Sequence, residues 1–218
     1  MCRMIAFSSE RDVEVSHFIY KLRKMAREGK KSPHPDGWGF FCRDSLGNVF
    51  YNRSTRPIFE DEVPNFLASN CIIHARKASP GTTKGILSVH PFLFLKGEKI
   101  FALAHNGSVK VDEKESMRIG VDTELIIKQL LQGDLEGIPK KFHDATSTTL
   151  FLSDGNVISA MRCCWEQCDY YTLFLREEEG VIVISSEGKG KELRNGEIVV
   201  LRSGKIVDVK LVDCGISV

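Results

Sequence analysis

Apolar and polar positions change period several times along the chain, and each change marks an element. Residues Cys2 to Phe7 set Met4 and Ala6 against Ile5 and Phe7 on alternate faces, so a strand buried on both sides is expected. From Val13 to Met25 the period becomes helical: Val15, Phe18, Ile19, Leu22 and Met25 form one stripe, with Lys21, Arg23, Lys24 and Arg27 off it. Prolines break the pattern in Ser32-Pro33-His34-Pro35-Asp36-Gly37, and Trp38-Gly39-Phe40-Phe41 then reads as a strand answered by Val49-Phe50-Tyr51 across a turn. Phe59 to Leu67 is expected to form a short helix in spite of Pro64.

Cys71 to Arg76 reads as a strand with a polar end. Lys77 to Ser88 is rich in Gly, Pro, Ser and Thr and reads as a mobile loop between strands. Ile100 to Ala104 is a buried strand running into His105-Asn106-Gly107. Asp122 is placed as the N-cap of a helix with the stripe Leu125, Ile126, Leu130 and Leu131. The last third is mostly extended: Ser147 to Ser153, Val157 to Met161, Tyr170 to Leu175, Val181 to Ser186, and a hairpin around Ser203-Gly204. This order predicts an α+β layered domain, two antiparallel sheets covered by helices, over residues 1–218 as a single unit.

Composition narrows the class. A net charge of +1 offers no basic face for nucleic acid or an anionic membrane surface. Apolar stretches are too short to span a bilayer, the N-terminus lacks a signal-peptide core, and a cytoplasmic location is expected. Seven cysteines, at 2, 42, 71, 163, 164, 168 and 214, form an odd set, so most are expected to be reduced and inert. Cys163-Cys164 and Cys168 lack a second ligand pair, and His74, His90 and His105 suit structural hydrogen bonding, so neither metal nor cofactor is expected. His17 and His143 read as surface residues.

Candidate chemistry starts at Cys2. Removal of Met1 puts a thiol and a free α-amine on one residue, a nucleophile with its own base; the amine titrates near ~8. Attack on a carbonyl requires donors for the developing oxyanion, and the Asn106 side chain with the Gly107 N–H offers such a pair, glycine allowing an unusual backbone conformation. Arg76, at a strand end, and Asp122, at a helix start, suit the carboxylate and ammonium of an amino-acid head group.

Cys2, His34-Pro35-Asp36-Gly37-Trp38-Gly39, His74-Ala75-Arg76, Ser79-Pro80-Gly81, His90-Pro91, His105-Asn106-Gly107 and Asp122-Thr123-Glu124 occur in an order that resembles the glutaminase domain of class II glutamine amidotransferases, which are N-terminal nucleophile hydrolases. The resemblance implies a four-layer αββα sandwich. It implies Cys2, Asn106 and Gly107 as catalytic residues, and Arg76, Asp122, Ser79 and His90 as substrate-binding ones. The loop from Lys77 to Gly85 is similar to a lid that closes over glutamine. Lys77 stands where larger members carry an aromatic residue, and His34-Pro35 where they have Arg-Gly. The latter form resembles the stand-alone subgroup that includes γ-glutamyl hydrolases of thiol-imidazole biosynthesis. With no synthase domain in the chain, the implied partners are a small γ-glutamyl amide and either a separate synthase protein or a second copy in a homodimer. Glutamine hydrolysis with ammonia release is the first expectation. A γ-glutamyl conjugate amidohydrolase and a non-catalytic γ-glutamyl sensor are the alternatives.

Overall fold

The structure, a computed structural model, describes residues 2–110 and 120–215. The expected removal of Met1 concerns a residue outside this set. Thirteen strands form two sheets. The first contains β1 (Arg3–Glu14), β2 (Trp38–Arg43), β3 (Val49–Ser54), β4 (Leu67–Ala75), β9 (Phe174–Glu178), β10 (Val181–Ser185) and β11 (Lys191–Glu192), in the order β11-β9-β10-β1-β4-β2-β3. The second contains β5 (Phe92–Lys96), β6 (Lys99–Asn106), β7 (Thr149–Ser153), β8 (Val157–Met161), β12 (Glu197–Arg202) and β13 (Lys205–Leu211), in the order β13-β12-β8-β7-β6-β5. Every pairing is antiparallel.

Alternation along β1 sets the layers. Ile5 and Phe7 point to α1 (Val15–Glu28), while Met4 and Ala6 point to the second sheet. The stripe Val15, Phe18, Ile19 and Leu22 is buried on the first sheet, and the Phe7 and Phe18 rings stack with centroids 4.2 Å apart. Each such side chain contributes about 1.5–3 kcal/mol by leaving water. On the far side, α2 (Thr123–Gln132) and α3 (Ile138–Lys141) cover the second sheet through Leu125, Ile126, Leu130 and Ile138. The result is the αββα sandwich, with β1 and β6 both central enough to meet across the inter-sheet layer.

Several expectations are corrected. Phe59 to Leu67 is not helical: Pro64 withholds a backbone donor, and Phe59, Val63 and Phe66 pack separately against the core before β4 begins at Leu67. Tyr170 and Tyr171 lie in a turn, with the strand starting only at Phe174. Leu131 is exposed, one step off the buried stripe of α2. The cysteines are not mostly reduced, since disulfides join Cys42 to Cys71, Cys163 to Cys214 and Cys164 to Cys168, leaving Cys2 free. Register explains the first pair, because Cys42 on β2 and Cys71 on β4 are direct cross-strand partners. No described helix is long and apolar enough to cross a membrane.

Candidate active site

Cys2 sits immediately before β1, next to the first ladder pair, Arg3 with Ala75, and is 6% exposed. Its backbone N–H donates across the sandwich to Oδ1 of Asn106, the last residue of β6, at 2.7 Å. That bond fixes which way the Asn106 amide faces. Its Nδ2 is buried and has no partner among the described residues. A buried donor left open in this way costs about 1–3 kcal/mol unless something else fills it. Gly107 follows. The expectation that it takes an unusual backbone conformation is not met, because its φ is not positive; a Cβ there would instead overlap the Ser147 carbonyl oxygen. Close approach, not torsion, demands glycine.

The other predicted residues converge on the same place. Cys2, Arg76, Ser79, His90, Gly107 and Asp122 line one cavity of about 40 Å³. Arg76, buried at the end of β4, donates from Nη2 to the Thr83 carbonyl at 2.9 Å, while its Nη1 is buried without a partner. Asp122 stands at the N-cap position of α2 as expected, but its side chain makes no capping bond, and Oδ2 accepts from the Val109 N–H at 2.7 Å. Ser79 Oγ lies 3.5 Å from Ser108 Oγ. His90 lines the cavity with its ring but its Nε2 is 2.9 Å from Thr123 Oγ1, and burial together with neighbouring cations holds it well below the ordinary histidine pKa.

The Cys2 thiol is pulled down to about 5. Burial pushes it up, and the positive N-terminus, the His74 imidazole and the Lys77 backbone N–H outweigh that effect. Cys2 and Met4 share a face of β1, and Met4 is opposite His74, so Cys2 and His74 are diagonal neighbours. His74 Nε2 lies 3.2 Å from the His105 carbonyl, and its Nδ1 has no aligned partner.

Asp36 pins the loop that covers the cavity. One carboxylate oxygen accepts from the Ala78 N–H at 2.9 Å and the other pairs with Lys84 Nζ at 2.6 Å. With Arg76 bonded to Thr83, both ends of the loop are held against the site. A cavity of this size has room for a few waters and not for an amino acid. Asp36 and His34 belong to a stretch noted in the sequence but had no assigned contact there. Tyr170, described below, carried no signal at all.

Residues 1–154 match the family of class II glutamine amidotransferases. The chain belongs to this family. The same fold appears among solved structures. The allosteric regulatory enzyme of purine biosynthesis superposes with a TM-score of 0.75 at 15% identity, over 99% of this chain and 50% of its own. The glutamine phosphoribosylpyrophosphate amidotransferase from B. subtilis gives 0.69 at 16%, again over 99% and 50%. A predicted glutamine amidotransferase from Pseudomonas aeruginosa PA01 gives 0.61 at 16%, over 95% and 100%. The chain thus spans half the length of the first two and the whole of the third. No curated protein sequence matches it.

Proposed function

We propose that this class II amidotransferase hydrolyses the γ-amide of glutamine through a thioester on Cys2, as one glutaminase-type domain over residues 1–218. The observation that carries the reading is the Cys2 N to Asn106 Oδ1 bond at 2.7 Å, which brings a free, acidic thiol beside an unpartnered amide donor. When Met1 is removed, that nitrogen becomes the α-amine. The lowering of the thiol by nearby positive charge favours a thiolate nucleophile with the proton held on the amine.

Sγ adds to the γ-carbonyl carbon, and the oxygen takes the electron pair. Asn106 Nδ2 and the Gly107 N–H bond that oxyanion. Collapse reforms the carbonyl and breaks the C–N bond, while the α-ammonium gives its proton to the departing ammonia. The amine then takes a proton from water, which attacks the thioester to release glutamate and the thiolate. Arg76 Nη1 receives the substrate α-carboxylate and the Asp122 carboxylate its ammonium, with Ser79 and His90 shaping the pocket wall. The loop over residues 77–85 opens to admit substrate and closes to exclude water. Where ammonia goes is the business of a partner synthase or of solvent.

Purified protein lacking Met1, given glutamine, other γ-glutamyl amides and asparagine, should release glutamate from the γ-glutamyl compounds alone. Cys2→Ala should abolish release. If none of these amides turns over while the Cys2 thiol is free and reactive, the hydrolase reading gives way to a γ-glutamyl sensor.

A further inference from the structure

Cys2 is held at its carbonyl as well as at its nitrogen. The Tyr170 hydroxyl donates to the Cys2 carbonyl oxygen at 3.2 Å, and the same Oη lies 2.9 Å from Nε2 of His34. Both residues are buried, His34 completely. The Tyr170 ring is fixed by cations: the Arg3 guanidinium is 4.4 Å and the Lys31 ammonium 5.0 Å from its centroid. These residues lie in the turn that follows the Cys164–Cys168 disulfide and in the His-Pro-Asp-Gly-Trp-Gly stretch, far apart in sequence.

We infer that His34 and Tyr170 form a positioning relay, His34 Nε2–H to Tyr170 Oη and Tyr170 O–H to the Cys2 carbonyl, which fixes the peptide plane of the nucleophile. The relay requires one arrangement of protons. A phenol has one proton and cannot donate to both neighbours, so if Cys2 receives it, His34 must donate from Nε2. The Ala26 carbonyl lies 3.2 Å from Nδ1 and also accepts the His34 backbone N–H at 2.9 Å, so the ring proton has an acceptor at either nitrogen, and the relay requires it on Nε2. Burial, with Arg3 and Lys77 nearby, holds His34 down to about 3, so it is neutral with one ring proton to place; burial also raises Tyr170, which stays a donor. With its nitrogen fixed by Asn106 and its carbonyl by Tyr170, Cys2 keeps one soft torsion, χ1. Sγ therefore swings through a single arc between the Lys77 N–H and the incoming carbonyl. Neither residue touches substrate.

This inference rests on the hydrolase reading for its kinetic arm and not for its chemical arm. Tyr170→Phe keeps the ring between its cations and removes only the hydroxyl. In protein lacking Met1 it should lower kcat for glutamate release at least about tenfold with KM changed much less, since misplacing a reacting atom costs rate rather than affinity. His34→Leu should do the same, His34→Gln, which restores an N–H donor, should recover most of that loss, and the double variant Tyr170→Phe/His34→Leu should be no worse than either single one. Independently of any substrate, alkylation of Cys2 by iodoacetamide at pH 6 should slow about threefold or more in Tyr170→Phe as the thiolate loses its fixed donors. Wild-type glutaminase activity with an unchanged kcat in Tyr170→Phe overturns the relay. So does an unchanged alkylation rate if wild type proves inactive on every amide. An inactive wild type with slowed alkylation in the variant would keep the relay and sink the hydrolase reading.

Discussion

Oδ1 of Asn106 accepts from the backbone nitrogen of Cys2 at 2.7 Å, and the same amide leaves its Nδ2 open inside the site. On the proposed mechanism, one side chain thereby faces the base with an acceptor and the oxyanion with a donor. Asn106→Ala removes both and should lower kcat about 10²- to 10³-fold, with a smaller change in KM, measured as glutamate release from glutamine. Asn106→Asp keeps the acceptor and loses the donor. It should be as slow, because a carboxylate repels the oxyanion.

A Cys2 thiol held at about 5 predicts an unusual pH profile. Alkylation by iodoacetamide should rise through pH ~5 and level off above it, whereas an ordinary thiol would still be gaining rate above neutrality. The same shift bears on stability. Because the folded pKa lies below the unfolded one, its stabilising effect is full above the unfolded value and is lost as pH falls through about 5. A midpoint near 9 in the alkylation profile would contradict the site's electrostatics.

Arg76 offers the substrate a buried cation with one nitrogen open. Arg76→Ala should weaken binding of the head group by about 2–3 kcal/mol, or roughly 30- to 150-fold in KM, with less change in kcat. Comparing glutamine with its α-amide checks the assignment. The wild type should discriminate strongly between them and the variant should not.

Asp36 and Lys84 latch the loop over residues 77–85. The Asp36 carboxylate lies below its usual range, burial working against the shift while Lys84 and the Ala78 N–H produce it. The latch is therefore intact at neutral pH and lost as pH falls through that depressed pKa. Lys84→Ala should speed proteolytic nicking within this loop while leaving Tm nearly unchanged, because Lys84 itself is exposed. Equal nicking rates in variant and wild type would show that the pair does not hold the loop.

Much of this arrangement was legible in the sequence for a physical reason. Period-two and helical stripes survive burial, so β1 and α1 could be read from Met4 to Leu22, and the residues that meet at the cavity lie at strand ends or helix starts, where polarity interrupts an apolar run. What was lost depends on contacts between distant segments. Phe59, Val63 and Phe66 are spaced like a helix but each packs separately, half-buried, against the core. Tyr170 lies in an irregular turn whose contact with Cys2 spans the length of the chain. Cysteine pairing was hidden for the same reason, since it follows strand register rather than spacing.

That pairing is open to a direct count. Thiol titration of the denatured protein without reductant should find one reactive thiol, Cys2, and seven after reduction. Seven before reduction would remove the three disulfides from the account.

Finally, the proposed nucleophile lies at the head of a strand of one sheet and the proposed oxyanion donors at the end of a strand of the other, so on that reading neither half of the sandwich holds a complete centre. Chemistry becomes possible only when two independently hydrogen-bonded layers have docked in register, which makes turnover a reporter of the seam between them. A chain emerging from synthesis would carry Cys2 from the outset, whereas its contacts with Asn106 and Tyr170 are supplied only by the middle and the last quarter of the sequence. On the proposed mechanism, the free thiol gains its partners at nearly the same moment that it is enclosed.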